Sequence, residues 1–173
     1  MKIGIDARLM NETGVGRYIR NLILELAKID ETNSYVIFLR KNAYPEFQLP
    51  SSRWEKRLAD ISWHSMSEQL FMPAIFSREK LDLLHVPYFN VPLLYFGKFM
   101  VTIHDLTILH FDTGKASTHP YFIFKIKWFF YYLILLKALC WSEKIIAVSE
   151  STKKEILEHF DILPERVSVI YEG

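Results

Sequence analysis

The first 28 residues, MKIGIDARLMNETGVGRYIRNLILELAK (1–28), join a short apolar strand to an amphipathic helix through a loop with two glycines. Residues 3–6 form the predicted buried strand. Between residues 16 and 28 the apolar side chains recur at intervals of three and four residues, which is one face of a helix. A strand followed by a helix begins a crossover connection, so this stretch predicts an α/β fold with a parallel sheet.

The alternation of strand and helix patterns continues along the chain. Further strands are predicted at 35–39, 61–64, 81–86, 99–104, 145–148 and 167–171, and helices at 67–78, 121–141 and 149–160. A kink is expected at Pro73. We therefore predict a Rossmann-like, doubly wound, mostly parallel sheet with helices on both faces. Residues 1–173 contain no repeat and no obvious boundary, which indicates one domain.

Composition excludes several classes of protein. The 173 residues are 50% hydrophobic and 24% charged, which is typical of a globular chain rather than a disordered one. The net charge of +1 gives no general attraction to nucleic acid. The single cysteine, Cys140, excludes an internal disulfide framework and a cysteine-based zinc site. With no secretory signal at the N-terminus, the expected compartment is the cytoplasm.

Polar side chains follow three of the predicted strands at the point where each strand ends. Asp6 and Asn11 follow the first strand, His85 ends another, and His104 and Asp105 follow the next. Ligands of doubly wound sheets bind outside these carboxyl ends, so we interpret the five residues as candidates for substrate binding. They converge only if their strands are neighbours. The alternative is that each histidine is a core residue bonded to backbone, and their spacing does not favour a metal site.

The loop-to-helix junction at Gly14 and Gly16 is a candidate phosphate-binding site. Glycines allow a ligand close to the backbone, and the first turn of a helix offers free N–H groups to an anion. Arg17 and Arg20 lie in these first turns, where the helix dipole disfavours cations and a bound phosphate would compensate. Ile19 replaces the third glycine of a dinucleotide fingerprint, which disfavours a dinucleotide enzyme. The plain alternative is two glycines that ease a loop into a helix.

Residues 121–141 form an unusually apolar segment. Eighteen of these 21 residues are apolar and nine are aromatic, but the longest uninterrupted apolar run has nine residues, against roughly 20 needed to span a bilayer. No acidic residue occurs between 113 and 142, where four lysines stand at 115, 125, 127 and 137. Aromatic residues mixed with lysines favour contact with a membrane surface, here the inner membrane face. The alternatives are a core helix and a helix buried by a missing domain.

Six short motifs together resemble the family 4 glycosyltransferases of the GT-B fold. They are MKIGIDAR (1–8), GVGRYI (14–19), DLLHVP (82–87), VTIHDL (101–106), AVSESTK (147–153) and VIYEG (169–173). The resemblance runs through the whole chain in order. It implies two Rossmann-like domains facing a cleft, of which this chain is the N-terminal, acceptor-side one and the donor-binding C-terminal domain is absent.

The resemblance also implies a reaction and roles for particular residues. Family members transfer a sugar from a nucleotide-sugar with retention of configuration, usually without a metal, and no cofactor is expected. By resemblance Gly14 and Gly16 line the donor diphosphate, and His104 contacts the transferring sugar. Asp6, Asn11 and Arg17 match the loop that faces the cleft, without individual roles.

The sequence therefore predicts half of a glycosyltransferase. Its expected partners are the missing C-terminal domain, a glycan or lipid-linked acceptor, and a membrane surface at 121–141, but not nucleic acid. The isolated chain is expected to fold and to transfer no sugar. The alternative is a non-catalytic Rossmann-like module that binds a sugar, a nucleotide or a membrane.

Overall fold

The computed structural model describes residues 1–110 and 121–172, and within them a seven-stranded sheet. Every strand pairing is parallel, in the order β3-β2-β1-β4-β5-β6-β7. The strands are β1 Lys2–Asp6, β2 Ser34–Leu39, β3 Trp54–Leu58, β4 Leu83–Val86, β5 Phe99–Ile103, β6 Lys144–Ala147 and β7 Val167–Val169. The order reverses direction between β1 and β4, as in a doubly wound fold, and the predicted fold class is confirmed.

The helices connect the strands as crossovers. They are α1 Gly14–Ile29, α2 Met66–Arg78, α3 Thr107–His110, α4 Tyr121–Trp141 and α5 Glu150–His159, followed by a 3-10 turn at Pro164–Arg166. Helix α2 continues through Pro73. As predicted, a helix follows β6 at Ser149. Ser149 is its N-cap residue, and the Ser149 hydroxyl accepts a hydrogen bond from Thr152 N at 3.1 Å.

The two faces of the sheet are covered by different helices. Ile37 belongs to a cluster with Ile19 and Ile23 of α1, whereas the next residue of β2, Phe38, packs edge-on against Phe76 of α2. This alternation follows from the period of two in a strand. Helix α4 lies on the same face as α2, since its buried side chains share the cluster of Phe38 and Phe76.

The strand predicted at residues 61–64 is wrong. The third strand is Trp54–Leu58, where Trp54 is buried and stacks on Tyr35 of β2 with ring centroids 4.0 Å apart. The next three residues of this strand, Glu55, Lys56 and Arg57, are charged, because an edge strand tolerates charge. Hydrophobicity patterns therefore do not identify it. His64 has φ 55°, a left-handed conformation that no regular strand contains.

Helix α4 is divided between core and surface. Its C-terminal half buries Ile134, Leu135, Ala138 and Leu139 against the sheet, so the core-helix alternative holds for that half. Among the described side chains of the first half, Phe129 is 54% and Phe130 47% exposed. Within residues 1–110 and 121–172, none of the helices is both long enough and apolar enough to cross a membrane.

Candidate functional site

The carboxyl ends of β1, β4 and β5 lie side by side at the point where the strand order reverses. Ile5 of β1 is in register with His85 of β4, and His85 is in register with Met100 of β5. The loops after these strands therefore meet at one edge, as the predicted convergence of Asp6, His85 and His104 required. A crevice at such a reversal is the usual ligand site of an open α/β sheet.

The two glycines at the start of α1 have different surroundings. A Cβ added to Gly16 would lie 2.5 Å from the carbonyl oxygen of Met10 and 2.9 Å from that of Leu9. The close packing of the β1–α1 loop on the helix therefore requires glycine at this position. A Cβ at Gly14 would meet nothing within 4 Å. The backbone of Gly14 is thus accessible to a ligand, whereas packing alone explains why residue 16 is a glycine.

A cavity of about 260 Å³ opens beside Gly14. The β1–α1 loop forms one side through Glu12 and Thr13, and the aromatic rings of Trp63 and Tyr88 form the other. The two rings meet edge-to-face, with centroids 6.0 Å apart. An aromatic wall facing backbone and short polar groups suits a ligand with both apolar faces and hydroxyl groups, such as a sugar.

His104 lies next to this cavity, after β5, and both of its ring nitrogens have partners. Nε2 lies 3.0 Å from the carbonyl oxygen of Pro87, and Nδ1 lies 2.6 Å from Glu172 Oε1. The ring packs edge-on against Tyr18 and is 6.2 Å from the ring of Tyr88. These contacts hold the His104 ring in one orientation, and its side chain remains 13% exposed.

His85 lies beneath the cleft rather than on its surface. Its residue is 4% exposed, and Nε2 is 2.9 Å from Thr102 Oγ1, which is also 2.9 Å from the hydroxyl of Tyr18. Burial, with a smaller contribution from His104, lowers the pKa of His85 to about 4 and leaves the ring neutral near pH 7. Through Thr102, His85 is linked to Tyr18, whose ring packs against His104, and its predicted role in substrate binding stays a prediction.

Asp6 is engaged in a buried ion pair. Its carboxylate accepts two hydrogen bonds from Arg8, from Nε at 2.8 Å and from Nη2 at 2.6 Å, and Arg8 Nη2 also donates to Glu68 Oε1 at 2.5 Å. The backbone N–H of His64 and the amide of Asn90 donate to Glu68. Burial raises the pKa of Glu68 despite the opposing effect of Arg8. These bonds tie the loop after β1 to the start of α2.

The remaining predicted residues lie at the rim. Arg17 is exposed, and within the part of the chain that the structure describes its guanidinium has no hydrogen-bond partner. Arg20 donates to the carbonyl oxygen of Met10, so the protein itself provides a partner for this cation. Asn11 is exposed and lines, with Arg20, a separate cavity of about 310 Å³. Asp105 is exposed, and its Oδ1 accepts from Thr107 N at 2.9 Å.

Sequence reasoning missed the aromatic wall and the buried ion pair. Trp63 and Tyr88 reach the cleft from loops with no periodicity, although Tyr88 follows the His85-Val86-Pro87 run directly. Glu68 lies on an apolar helix. A single carboxylate at a core position of such a helix is the signal that could have predicted a buried ion pair. Among residues 1–110 and 121–172 there is no group of three or more histidine, cysteine, aspartate or glutamate side chains placed to hold a metal ion.

The parallel sheet and its crevice define a Rossmann-like domain of the kind that forms half of a GT-B glycosyltransferase. The sequence model of Glycosyltransferase Family 4 matches residues 13–173, and the chain belongs to that family. A solved structure titled lipopolysaccharide outer core galactosyltransferase WaaB, apo form, is similar with a TM-score of 0.59 and 14% sequence identity. The match covers 100% of this chain and 46% of that chain, so this chain spans less than half of that protein's length. No curated protein matches the sequence.

Proposed function

We propose that this chain is the N-terminal, acceptor-side domain of a retaining glycosyltransferase that transfers a sugar from a nucleotide-sugar to a glycan or lipid-linked acceptor. The observation that carries the proposal is the arrangement at one edge of the sheet. His104 is oriented by three neighbours beside a 260 Å³ cavity with two aromatic rings and the open backbone of Gly14. A second domain, facing this edge, would supply the donor pocket.

The chemistry assigned to these groups needs no nucleophile on this domain. The bond between the anomeric carbon and the diphosphate oxygen breaks, and the electron pair leaves with the diphosphate. The acceptor hydroxyl forms the new bond, and its proton passes to the departing diphosphate. The N–H groups at the start of α1, beside Gly14, stabilise the growing negative charge, and Arg17 lies in the same turn. Asn11 and Asp105 at the rim are assigned to substrate contacts.

His104 is proposed to hold a hydroxyl of the transferring sugar. The contact between Nδ1 and Glu172 Oε1, at 2.6 Å, supports this assignment, because it places an oxygen atom beside the nitrogen that would bind the hydroxyl. A sugar hydroxyl in that place would exchange with the carboxylate, while the bond to Pro87 keeps the ring in orientation. Tyr18, held by Thr102, prevents the ring from turning away.

In the complete two-domain enzyme, His104→Ala should reduce kcat by roughly 10²–10³, which is the usual effect of losing one positioned donor. Product formation is measured with the nucleotide-sugar found active in a screen of UDP-, GDP- and ADP-sugars. His159→Ala, an exposed histidine on α5, is the matched control and should keep full activity. Near-wild-type turnover of His104→Ala, with equal melting temperatures, would remove His104 from the site.

A second proposed property is association with an anionic membrane surface through the first half of α4. Phe129 and Phe130 are about half exposed, and Lys125 and Lys127 precede them in a segment without acidic residues. Lys137, also predicted to contribute charge, is 7% exposed and donates to the carbonyl oxygens of Leu93 and Tyr95, so it belongs to the core. Lys115 lies outside the described residues.

Sedimentation with vesicles of anionic phospholipid should weaken with added salt and in Lys125→Glu/Lys127→Glu, since each surface lysine contributes about 1 kcal/mol to such binding. The control is Lys41→Glu/Lys154→Glu, which changes the net charge equally at exposed positions away from α4. If both double variants sediment like the wild type, the exposed half of α4 does not contact membranes and instead packs against another protein domain.

A further inference from the structure

A groove of about 480 Å³ runs between α2 and the first half of α4, outside the cleft described above. We call it the α2–α4 groove. Its walls are apolar and its volume lies within the range of small-molecule sites, roughly 300–1,000 Å³. The apolar walls are formed chiefly by Leu70, Leu93, Leu94, Ile126 and Phe130. Several of these side chains are largely exposed, with Leu70 at 61% and Leu94 at 60%, so the groove is open to an occupant.

One end of the groove is polar and has unused hydrogen-bonding groups. The Nε2 atoms of His64 and Gln69 are both inaccessible to solvent and have no partner among the described residues. The other amide atom of Gln69, Oε1, is fixed by the N–H of Leu93 at 2.8 Å. Lys127 also lines the groove, and none of its described lining residues is acidic. Buried polar atoms without partners destabilise a fold unless a ligand satisfies them.

His64 is itself held in an unusual conformation. Its φ of 55° lies in the left-handed region, which a side chain with a Cβ rarely adopts, and its N–H donates to Glu68 Oε2 at 2.7 Å. Its ring packs 4.9 Å from that of Tyr131 in α4. The buried ion pair of the candidate site thus fixes a strained residue at the polar end of the groove. Such strain is common where a side chain must be aimed at a ligand.

We propose that the α2–α4 groove binds one hydrocarbon chain of a lipid-linked acceptor, with the acceptor's phosphate head at His64, Gln69 and Lys127. An apolar slot with donors and one cation at one end complements a single-chain amphiphile with an anionic head. The exposed Phe129 continues the apolar surface beyond Phe130, so a chain can enter from the membrane surface proposed above.

The groove is connected to the cleft by aromatic rings. The ring of His64 is 6.0 Å from that of Tyr88, and Tyr88 is 6.2 Å from His104. A head at His64 therefore lies two ring contacts away from the residue proposed to hold the transferring sugar. The assignment of the bound lipid as an acceptor rests on the proposed function, whereas the binding of a hydrocarbon chain in the groove does not.

The binding test uses hexyl, octyl and decyl phosphate below their micelle concentrations, with inorganic phosphate and decanol as comparisons. Ligand-observed NMR on the 173-residue chain gives the dissociation constants. Affinity should rise by up to roughly 15-fold for every two methylenes, because each buried methylene contributes about 0.8 kcal/mol. Inorganic phosphate binding as tightly as decyl phosphate would overturn the chain assignment, and decanol binding as tightly would overturn the head assignment.

A pair of matched variants locates the binding. Leu70→Glu/Phe130→Glu places two carboxylates in the groove, whereas Phe71→Glu/Leu163→Glu makes the same change at exposed positions that neither line the groove nor belong to α4. All four side chains are about half exposed or more, so both variants should fold, as circular dichroism checks. The first pair should weaken decyl phosphate binding at least tenfold and the second less than twofold. Equal weakening would overturn the groove as the site.

These assays contain no donor and measure no transfer, so their failure is distinct from failure of the proposed function. In the complete enzyme, the groove pair should also raise KM for an alkyl-linked acceptor glycoside at least tenfold, while KM for the free glycan changes less than twofold. If the two KM values rise together while lipid binding is lost, the groove does not select the acceptor.

Discussion

At the scale of single residues, two histidines of similar sequence context have different surroundings. Both follow apolar residues at a strand end, but the side chain of His104 is 13% exposed, whereas His85 is 4% exposed. His85 lies within β4, where Thr102 of β5 contacts its ring, whereas His104 comes after the last residue of β5. Burial within the sheet lowers the pKa of His85 and keeps its ring neutral near pH 7.

The neutrality of His85 predicts a pH dependence of stability. Its pKa falls from about 6.5 in the unfolded chain to about 4 in the folded one, so the unfolded state binds a proton that the folded state does not. The contribution of neutral His85 to the free energy of unfolding is therefore complete above pH 6.5, and it is lost as the pH falls from 6.5 towards 4. By pH 5 the loss is about 2 kcal/mol. Urea unfolding at pH 7 and pH 5 measures it.

His85→Gln is the appropriate variant, because glutamine can still bond to Thr102 but does not titrate in this range. It should lose about 2 kcal/mol less stability than the wild type between pH 7 and pH 5. His64, whose pKa burial also lowers to about 4, acts in the same direction in both proteins and cancels in the comparison. Parallel pH profiles for the two proteins would show that His85 is not the responsible group.

At the scale of elements, the start of α1 shows how glycines with the same motif can be separated. The loop from Asp6 to Thr13 folds back onto the helix, with the carbonyl groups of Leu9 and Met10 against Gly16. Gly14, two residues earlier, faces open space. In this motif Gly16 is therefore required for packing, whereas Gly14 leaves the backbone accessible. Stability measurements can distinguish the two glycines.

Gly16→Ala should lower the free energy of unfolding by roughly 2–3 kcal/mol, because its Cβ would overlap backbone that cannot rotate away. Gly14→Ala should fold with unchanged or up to about 1 kcal/mol greater stability, because alanine favours the helix and meets no neighbour. Chemical denaturation of the two variants tests this. Equal destabilisation would show that Gly14 is also packed, and its backbone would no longer be a candidate for a phosphate.

At the scale of the whole molecule, one continuous sheet carries two cores. The larger cluster joins β2, β4, β5, β6 and β7 to α2, α4 and α5, and the smaller one joins β1, β2 and β3 to α1. Residues of β2 contribute to both, which couples the two faces. The functional edge, by contrast, is open: His104, Gly14 and the aromatic wall face outward with no second wall within the described residues.

The isolated 173-residue chain should therefore unfold cooperatively and transfer no sugar. Coincident thermal transitions by tryptophan fluorescence and far-ultraviolet circular dichroism are expected from the shared core. Without an opposing wall, each contact to a donor acts in water, and affinity for nucleotide-sugars should be weak, on the order of millimolar. Transfer from UDP-, GDP- or ADP-sugars above background, or two separate transitions, would contradict this description.

The order of strands and helices, and with it the fold class, was determined by the sequence, because apolar periodicity records which faces are buried. The strand ends with Asp6, His85 and His104 were also identifiable there. The tertiary structure decided how far each of these side chains is buried, since that depends on which strands are neighbours and on which side chains pack over each residue. It also decided the charged edge strand at Trp54 and the aromatic wall of Trp63 and Tyr88, because these rest on contacts between segments distant in sequence, which no local pattern encodes.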